Sequence, residues 1–215
     1  MIIDLHVHEY LFSACSHMSL EDAVAQARRI GLDGLCITDH GSLDIRRAPC
    51  LQTLDFPVFV GVEMTTRQGD IVAFGLDSLP RRQPTAQEFV NFVAGQGGFC
   101  FAAHPFRSWG GGMRHHVHTI KDMHGLEVFN GANTESDNAK ALQACRRLGL
   151  IPVAGSDAHM VDDIGSYATW LPQPVRTMKE LVAALKAGQG KPVIRRKGGY
   201  RVPAGWDDCN PVIIA

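Results

Sequence analysis

Short apolar runs in this chain alternate with helix-like segments, and nearly every run leads into a residue able to bind a metal ion. The runs are Ile2 to His8, Leu35 to Thr38, Phe56 to Val62, Ile71 to Leu76, Phe99 to Ala103, Leu126 to Phe129 and Ile151 to Ala154. Between them lie helix signals. Ser19 is placed to cap a helix running to Ile30, with Gly31 after it. Thr85 to Gln96, Glu135 to Leu148 and Met178 to Ala187 also read as helix, and Asp44 to Leu54 as a short one interrupted by Pro49. Pro192-Val193-Ile194 reads as a closing strand. Such alternation implies βαβ units around a parallel sheet.

In parallel α/β barrels, functional residues gather at the C-terminal ends of the strands. The runs here end in His6-Val7-His8, Thr38-Asp39-His40 and Val62-Glu63. The fourth is followed by Asp77, and the fifth by His104. The sixth contains Glu127 and ends at Asn130, and the seventh leads to Asp157 and His159. Residues distant in sequence are therefore expected to converge. Strand alternation turns Asp4, His6 and His8 toward the barrel interior and Ile3, Leu5 and Val7 toward outer helices. Asp4 would orient one of the rings from beneath. A lone HxH is a weak signal. His116-Val117-His118 is a second one, and with His115 it reads as polar loop; His124 reads as structural.

With 215 residues, the chain is expected to form one domain, residues 1–215. Basic and acidic residues number 21 and 22, so bulk charge gives no case for duplex nucleic acid or an anionic membrane. The expected partner is a small phosphorylated substrate or nucleotide. No apolar run approaches the ~20 residues of a membrane span, and no secretory signal is read at the N-terminus. The six cysteines are scattered without a CxxC, as expected of reduced thiols in the cytoplasm.

The motifs resemble those of the PHP superfamily, the polymerase and histidinol phosphatase domains. The resemblance is carried by Asp4-Leu5-His6-Val7-His8, Ile37-Thr38-Asp39-His40-Gly41, Gly61-Val62-Glu63, His104-Pro105, Leu126-Glu127-Val128-Phe129-Asn130 and Gly155-Ser156-Asp157-Ala158-His159. It implies a distorted TIM-like (β/α)7 barrel with parallel strands inside and helices outside. It also implies two or three divalent ions, with His6, His8, Glu63 and Asp157 on one. Glu63 would bridge to a second ion with His104, and His17, His40 and His159 would hold a third. Histidine with carboxylate suits Zn, Mn or Fe. Departures are Glu9 in place of a threonine, Ser16-His17-Met18 in place of Ser-Asp-Gly, and Asp77 where some members carry histidine. The chain has no room for the inserted subdomain of many nucleotide-cleaving relatives.

The expected activity is metal-dependent hydrolysis of a phosphoester by a metal-bridged hydroxide, in a phosphomonoesterase, nucleotide phosphatase or phosphodiesterase. Arg107 is the expected phosphate clamp, with Arg114 and Arg195 as lesser candidates. Two roles are open to Asp39, carrying a proton or bracing a metal-bound residue, and the second is favoured. Residues 108–112 form a loop suited to cover the substrate, with Trp109 stacking on a base or ring and Asn130 also on the substrate side. One alternative is a metal-dependent amidohydrolase on an eight-stranded barrel. It is weakened by the absence of a lysine near Asp77 and by a chain shorter than the ~250 residues typical of such barrels. The other is a non-catalytic PHP-type accessory module, which would be expected to have lost ligands.

Overall fold

The computed structural model describes residues 1–206 and the backbone of Ile213–Ile214; Cys209 lies outside the described residues. The first sheet is built on β1 (Ile2–Val7), β2 (Gly34–Ile37) and β3 (Val58–Val60), which run parallel. It continues beyond β1 through β9 (Tyr167–Trp170), β10 (Lys191–Arg196), β11 (Gly199–Arg201) and β12 (Ile213–Ile214), all antiparallel to their neighbours. The second sheet has the order β4 (Val62–Thr66), β5 (Gly69–Phe74), β6 (Phe99–Ala102), β7 (Gly125–Asn130) and β8 (Ile151–Gly155). Only β6, β7 and β8 run parallel within it.

The result is a mixed α/β fold of two sheets, in place of the expected closed barrel of parallel strands. Two local features divide the chain this way. The third apolar run breaks at Gly61, where the backbone leaves β3 and enters β4. A Cβ there would sit 2.4 Å from Phe74 Cε1 and 2.7 Å from the Ala73 carbonyl, so only glycine fits the crossing. A tight turn ending at Gly69 (φ 140°) then reverses the chain, so β5 pairs antiparallel with β4. Between sheets, isolated parallel bridges join Val7 to Ala158 and His40 to Glu63.

The helices begin where the capping residues lie. Ser19 accepts from the Asp22 N–H at the start of α1 (Leu20–Arg29). Proline 49 opens α2 (Pro49–Thr53), after a separate 3-10 turn over Asp44–Arg47. Thr85 with Glu88, and Thr177 with Glu180, form capping boxes on α3 (Ala86–Gly95) and α5 (Met178–Lys186). Thr134 caps α4 (Glu135–Leu148), which closes on left-handed Gly149. No helix among the described residues is long and apolar enough to cross a membrane.

Ile3 and Leu5 do not face outer helices alone as expected. They join Phe59, Phe74, Phe99 and Phe101 from both sheets, with α5 closing the layer through Leu181. Val7 instead packs with Leu20 and Ala23 of α1, because the register of β1 shifts between Asp4 and Val7. Phe101 is fully buried, its ring 6.2 Å from Phe74 and 6.4 Å from Phe99. Phe101→Ala is expected to cost about 3–5 kcal/mol in urea unfolding. A loss below about 1 kcal/mol would contradict this packing.

Candidate metal centre

The two sheets meet at one cluster of buried polar side chains. His6 and His8 at the end of β1 bring their Nε2 atoms within 3.1 Å of each other. Both nitrogens face Glu63 Oε2, at 3.4 and 3.3 Å, and Asp157 Oδ1, also at 3.4 and 3.3 Å. Glu63 Oε1 reaches His104 Nε2 at 2.8 Å, and its Oε2 lies 3.2 Å from His40 Nδ1. Asp70 is drawn in beside Glu63 and His104. Among the described residues three donor sets result, in each of which the ligand atoms lie within 4.8 Å of one another: His6, His8, Glu63 and Asp157; Glu63, Asp70 and His104; and His8, Cys15, His40 and His159.

The ring protons are committed away from the cluster. His6 Nδ1 is 3.1 Å from Glu127 Oε1, and His159 Nδ1 is 2.8 Å from the Asp157 carbonyl oxygen. His8 Nδ1 is 3.4 Å from Ser13 Oγ, whose own proton goes to Asp39 Oδ1 at 2.8 Å. In the neutral rings each Nδ1 then donates, which leaves each Nε2 lone pair for a metal ion. Two imidazole nitrogens facing each other among carboxylate oxygens need positive charge between them, either protons or a metal ion. Asp70 Oδ1 is buried with no hydrogen-bond partner, which adds a free acceptor on the second set. Imidazole and carboxylate donors with outer hydrogen bonds of this kind fit divalent metal ions.

The electrostatics carry the same signature. Burial pushes the His8 imidazolium toward neutrality, but the Asp157 and Glu63 carboxylates outweigh it and raise its pKa to about 9. His6 is likewise raised, by Asp157, Glu127 and Glu63 against burial. Glu63 and Asp157 are held well below the usual carboxylate range, against the upward push of burial, largely by His6. His104 (φ 30°) and Asp157 (φ 56°) both occupy left-handed backbone that non-glycine residues seldom adopt. Strain at two of the clustered residues is a mark of a functional site.

Of the residues expected from the sequence, His6, His8, His40, Glu63, His104, Asp157 and His159 are brought together. Two are not. His17 is exposed, with its backbone N–H on the His159 carbonyl, and the same loop directs Cys15 to the cluster instead. Asp77 lies exposed at the far end of β5, where its backbone N–H meets Gln96 Oε1. Because β5 runs antiparallel to β6, its first residues sit beside His104 and its last ones point away. Asp70 is therefore the acidic residue that reaches the site.

Asp39 lies under the loop after β1. Its Oδ1 accepts from the Glu9 N–H at 3.1 Å as well as from Ser13, which in turn accepts from the His40 N–H. Asp39 thereby holds the backbone of the loop and the Ser13 hydroxyl in place. The amide of Asn130 is engaged by its neighbours. Its Nδ2 reaches Glu127 and Asp157, and its Oδ1 accepts from Arg107 and the Ala132 N–H, so its amide is fully occupied. Arg107 is buried, paired with Asp157, and its guanidinium stacks 4.3 Å over Trp109. Trp109 is 68% exposed. Both line a pocket of about 310 Å³ with Cys15, His40, Glu63, Asp70, His104 and Asp157. Arg114 and Arg195 are held elsewhere, on the Ser108 and Asp162 carbonyls. Among the described residues, His115, His116, His118 and His124 join none of the three sets.

Glu127 was expected only as a residue of the sixth run, yet it orders the site from beneath. Its two oxygens take the His6 Nδ1 proton, the His104 N–H at 2.7 Å and the Asn130 amide. Glu127→Gln should weaken divalent metal binding about 10- to 100-fold by calorimetric titration. Unchanged affinity would mean that His6 needs no such orientation.

Residues 135–189 match the PHP-associated family model. No curated protein matches the sequence. Among solved structures, the fold is similar to PsfC from Pseudomonas syringae, at 20% identity and TM-score 0.70, covering 91% of this chain and 92% of that one. It is similar to a two-domain protein from Bacteroides vulgatus containing a predicted PHP-like metal-dependent phosphoesterase, at 21% identity and TM-score 0.69. That match covers 91% of this chain and spans 65% of the other. It is also similar to the lesion-specific endonuclease EndoQ from Pyrococcus furiosus, at 18% identity and TM-score 0.64, covering 86% of this chain and 56% of that one. The resemblance to PHP domains read from the motifs stands.

One expectation is overturned. Endonuclease Q, whose fold this chain shares, has been captured with a 27-mer duplex carrying an abasic lesion at its active site. Balanced net charge is therefore no argument against duplex nucleic acid for this fold. A total of 21 against 22 charges says nothing about which of them line one face.

Proposed function

We propose that this PHP-type chain is a metal-dependent hydrolase of phosphoesters, working at the cluster around Glu63. The observation that carries the reading is the convergence of His6 and His8 Nε2 on the oxygens of Glu63 and Asp157. Divalent ions bound there would polarise phosphoryl oxygens and make water a nucleophile near neutral pH. The residues themselves gather the carboxylates of Glu63, Asp70, Glu127 and Asp157 around the guanidinium of Arg107 and the imidazoles of His6 and His8. Such a site would repel a phosphoester unless cations were bound, and with them it attracts one.

His6, His8, Glu63 and Asp157 would hold one ion and Glu63, Asp70 and His104 another, with Glu63 common to both. Arg107, with its Nε and one terminal nitrogen held by Asn133, Asn130 and Asp157, would offer its other terminal nitrogen to a phosphoryl oxygen at the pocket wall. Trp109 offers an apolar face at the mouth for the rest of the substrate. Ser13, Asp39 and Glu127 keep the ring protons fixed, so that the metal-binding nitrogens need no rearrangement.

The fold is also shared by an amidohydrolase from Chromobacterium violaceum, at 18% identity and TM-score 0.58, covering 85% of this chain and 96% of that one. Fold alone does not choose between the two bond types, and the choice here rests on the anion-attracting character of a loaded site. The test is product release from phosphomonoesters, phosphodiesters and an abasic-site duplex, set beside amides, with added Mn²⁺ or Zn²⁺. Hydrolysis of a phosphoester that disappears with chelator and in His6→Ala/His8→Ala is the expected outcome. Activity surviving either treatment, or confined to amides, would defeat the proposal.

A further inference from the structure

The third donor set contains a residue that the sequence motifs leave unassigned. Cys15 Sγ lies with ring nitrogens of His8, His40 and His159, all within 4.8 Å of one another. The loop that carries it is tied to both neighbouring strand ends. Ser16 Oγ is within hydrogen-bond reach of the His8 carbonyl at 2.9 Å and the His159 carbonyl at 3.2 Å. The His17 N–H donates to the His159 carbonyl at 3.0 Å, and the Tyr10 N–H to the Met18 carbonyl at 3.0 Å. These anchors leave His17 outside the cluster and bring Cys15 to the pocket wall with His40, Arg107 and Trp109.

The imidazoles around the thiol are arranged as ligands. The His159 Nδ1 proton is given to the Asp157 carbonyl, so its Nε2 holds a lone pair. His8 stacks between His40 and His159, with ring centroids 4.7 and 4.5 Å away. The His40 N–H is fixed on Ser13 Oγ, which joins this rim to Asp39.

We propose that Cys15, as a thiolate, takes the place expected of His17 on the third divalent ion that the motif resemblance implies, beside His40 and His159 at the rim of the pocket. The inference rests on reading the adjoining sets as a metal centre. The S–H proton passes to solvent as the sulfur–metal bond forms, and nothing is oxidised or reduced. Thiolate with imidazole favours a softer ion such as Zn²⁺ over Mn²⁺ or Mg²⁺, whereas the Glu63–Asp70–His104 set is richer in oxygen donors. The rim position is thereby selective for a different metal from the one beneath it.

Alkylation by iodoacetamide, read residue by residue by mass spectrometry on the purified full chain, tests the site. Zn²⁺ should slow labelling of Cys15 at least about tenfold and Mg²⁺ should leave it unchanged, because the free thiolate is the reacting species. Labelling of half-buried Cys50 is the internal reference and should not respond. Co²⁺ should give a near-ultraviolet thiolate-to-metal band that Cys15→Ser removes, and the variant should bind one ion fewer than the parent. Protein that takes up Zn²⁺ yet shows unprotected Cys15 would overturn the thiolate site and leave the main centre standing. Failure to take up Zn²⁺ or Co²⁺ at all would remove both. The labelling arm uses the unaltered sequence, so it decides the matter even if the variant folds poorly.

Discussion

Glu63→Gln is expected to reduce phosphoester hydrolysis by about 10³-fold or more, the equivalent of roughly 4 kcal/mol, with the chain still folded. Glu63 is the only described side chain that touches four of the clustered histidines: His6, His8, His40 and His104. Glutamine keeps its shape but replaces one charged oxygen with an N–H donor. That donor would face either His104 Nε2 or the His6–His8 pair, and in both places an acceptor is needed. The two deeper donor sets then lose their shared member together. The measurement is specific activity under saturating metal, with circular dichroism to establish that the fold persists. Activity within about tenfold of the parent would remove Glu63 from the centre of the account.

The second large effect is the dependence of metal stabilisation on pH. Burial opposes charge on His8, yet Asp157 and Glu63 hold its folded pKa at about 9 against an ordinary 6.5. A raised folded pKa contributes stability that is complete below 6.5 and is lost as pH climbs through about 9. For His8 alone this is on the order of 3 kcal/mol in metal-free protein. Glu63 and Asp157 are depressed, so their contribution is present above their ordinary values of 4.5 and 3.8 and fails only in stronger acid. The contribution of these three groups to metal-free protein is therefore largest between about pH 5 and 6.5 and shrinks toward pH 9. Metal ions compete with the same protons for the same nitrogens, so the gain in Tm on adding Zn²⁺ should grow over that alkaline range. Thermal unfolding with Zn²⁺ and with chelator, at intervals across this span, reads it directly. A gain that is flat or shrinks with rising pH would contradict the assignment of His6 and His8 as ligands.

The sequence made the deep part of the site legible because strand ends in an α/β chain point one way. His6, His8, Glu63, His104 and Asp157 each follow an apolar run, and that alone predicted their convergence. The reading failed where the chain direction reverses. Asp77 follows an apolar run too, but β5 is the return arm of a hairpin, so its far end carries Asp77 away and its near end delivers Asp70. The signal was available in the Arg67-Gln68-Gly69 turn between two apolar stretches, a hairpin pattern that the assumption of uniform parallel strands obscured.

The same assumption hid β9. Tyr167-Ala168-Thr169-Trp170 has strand-forming aromatic and β-branched residues, but a parallel pattern needs only the single closing strand at 192–194. It pairs antiparallel with both β1 and β10, and its Thr169 hydroxyl bonds the Ala154 backbone of β8, so it ties the first sheet to the second. Cys15 was missed for another reason. Spacing places strand residues well and loop residues poorly, and only the anchors from Ser16 and His17 to the His8 and His159 backbone decide which loop side chain enters. Asn130 ends its strand, and its amide faces the carboxylates of Glu127 and Asp157, a direction that strand position alone does not fix.

Anomalous diffraction from crystals grown with Zn²⁺ tests the central claim most directly. The account predicts one peak among His6, His8, Glu63 and Asp157, and a second among Glu63, Asp70 and His104. An intact fold with strong zinc peaks only at surface histidines such as His115 or His118, and none within this cluster, would contradict it.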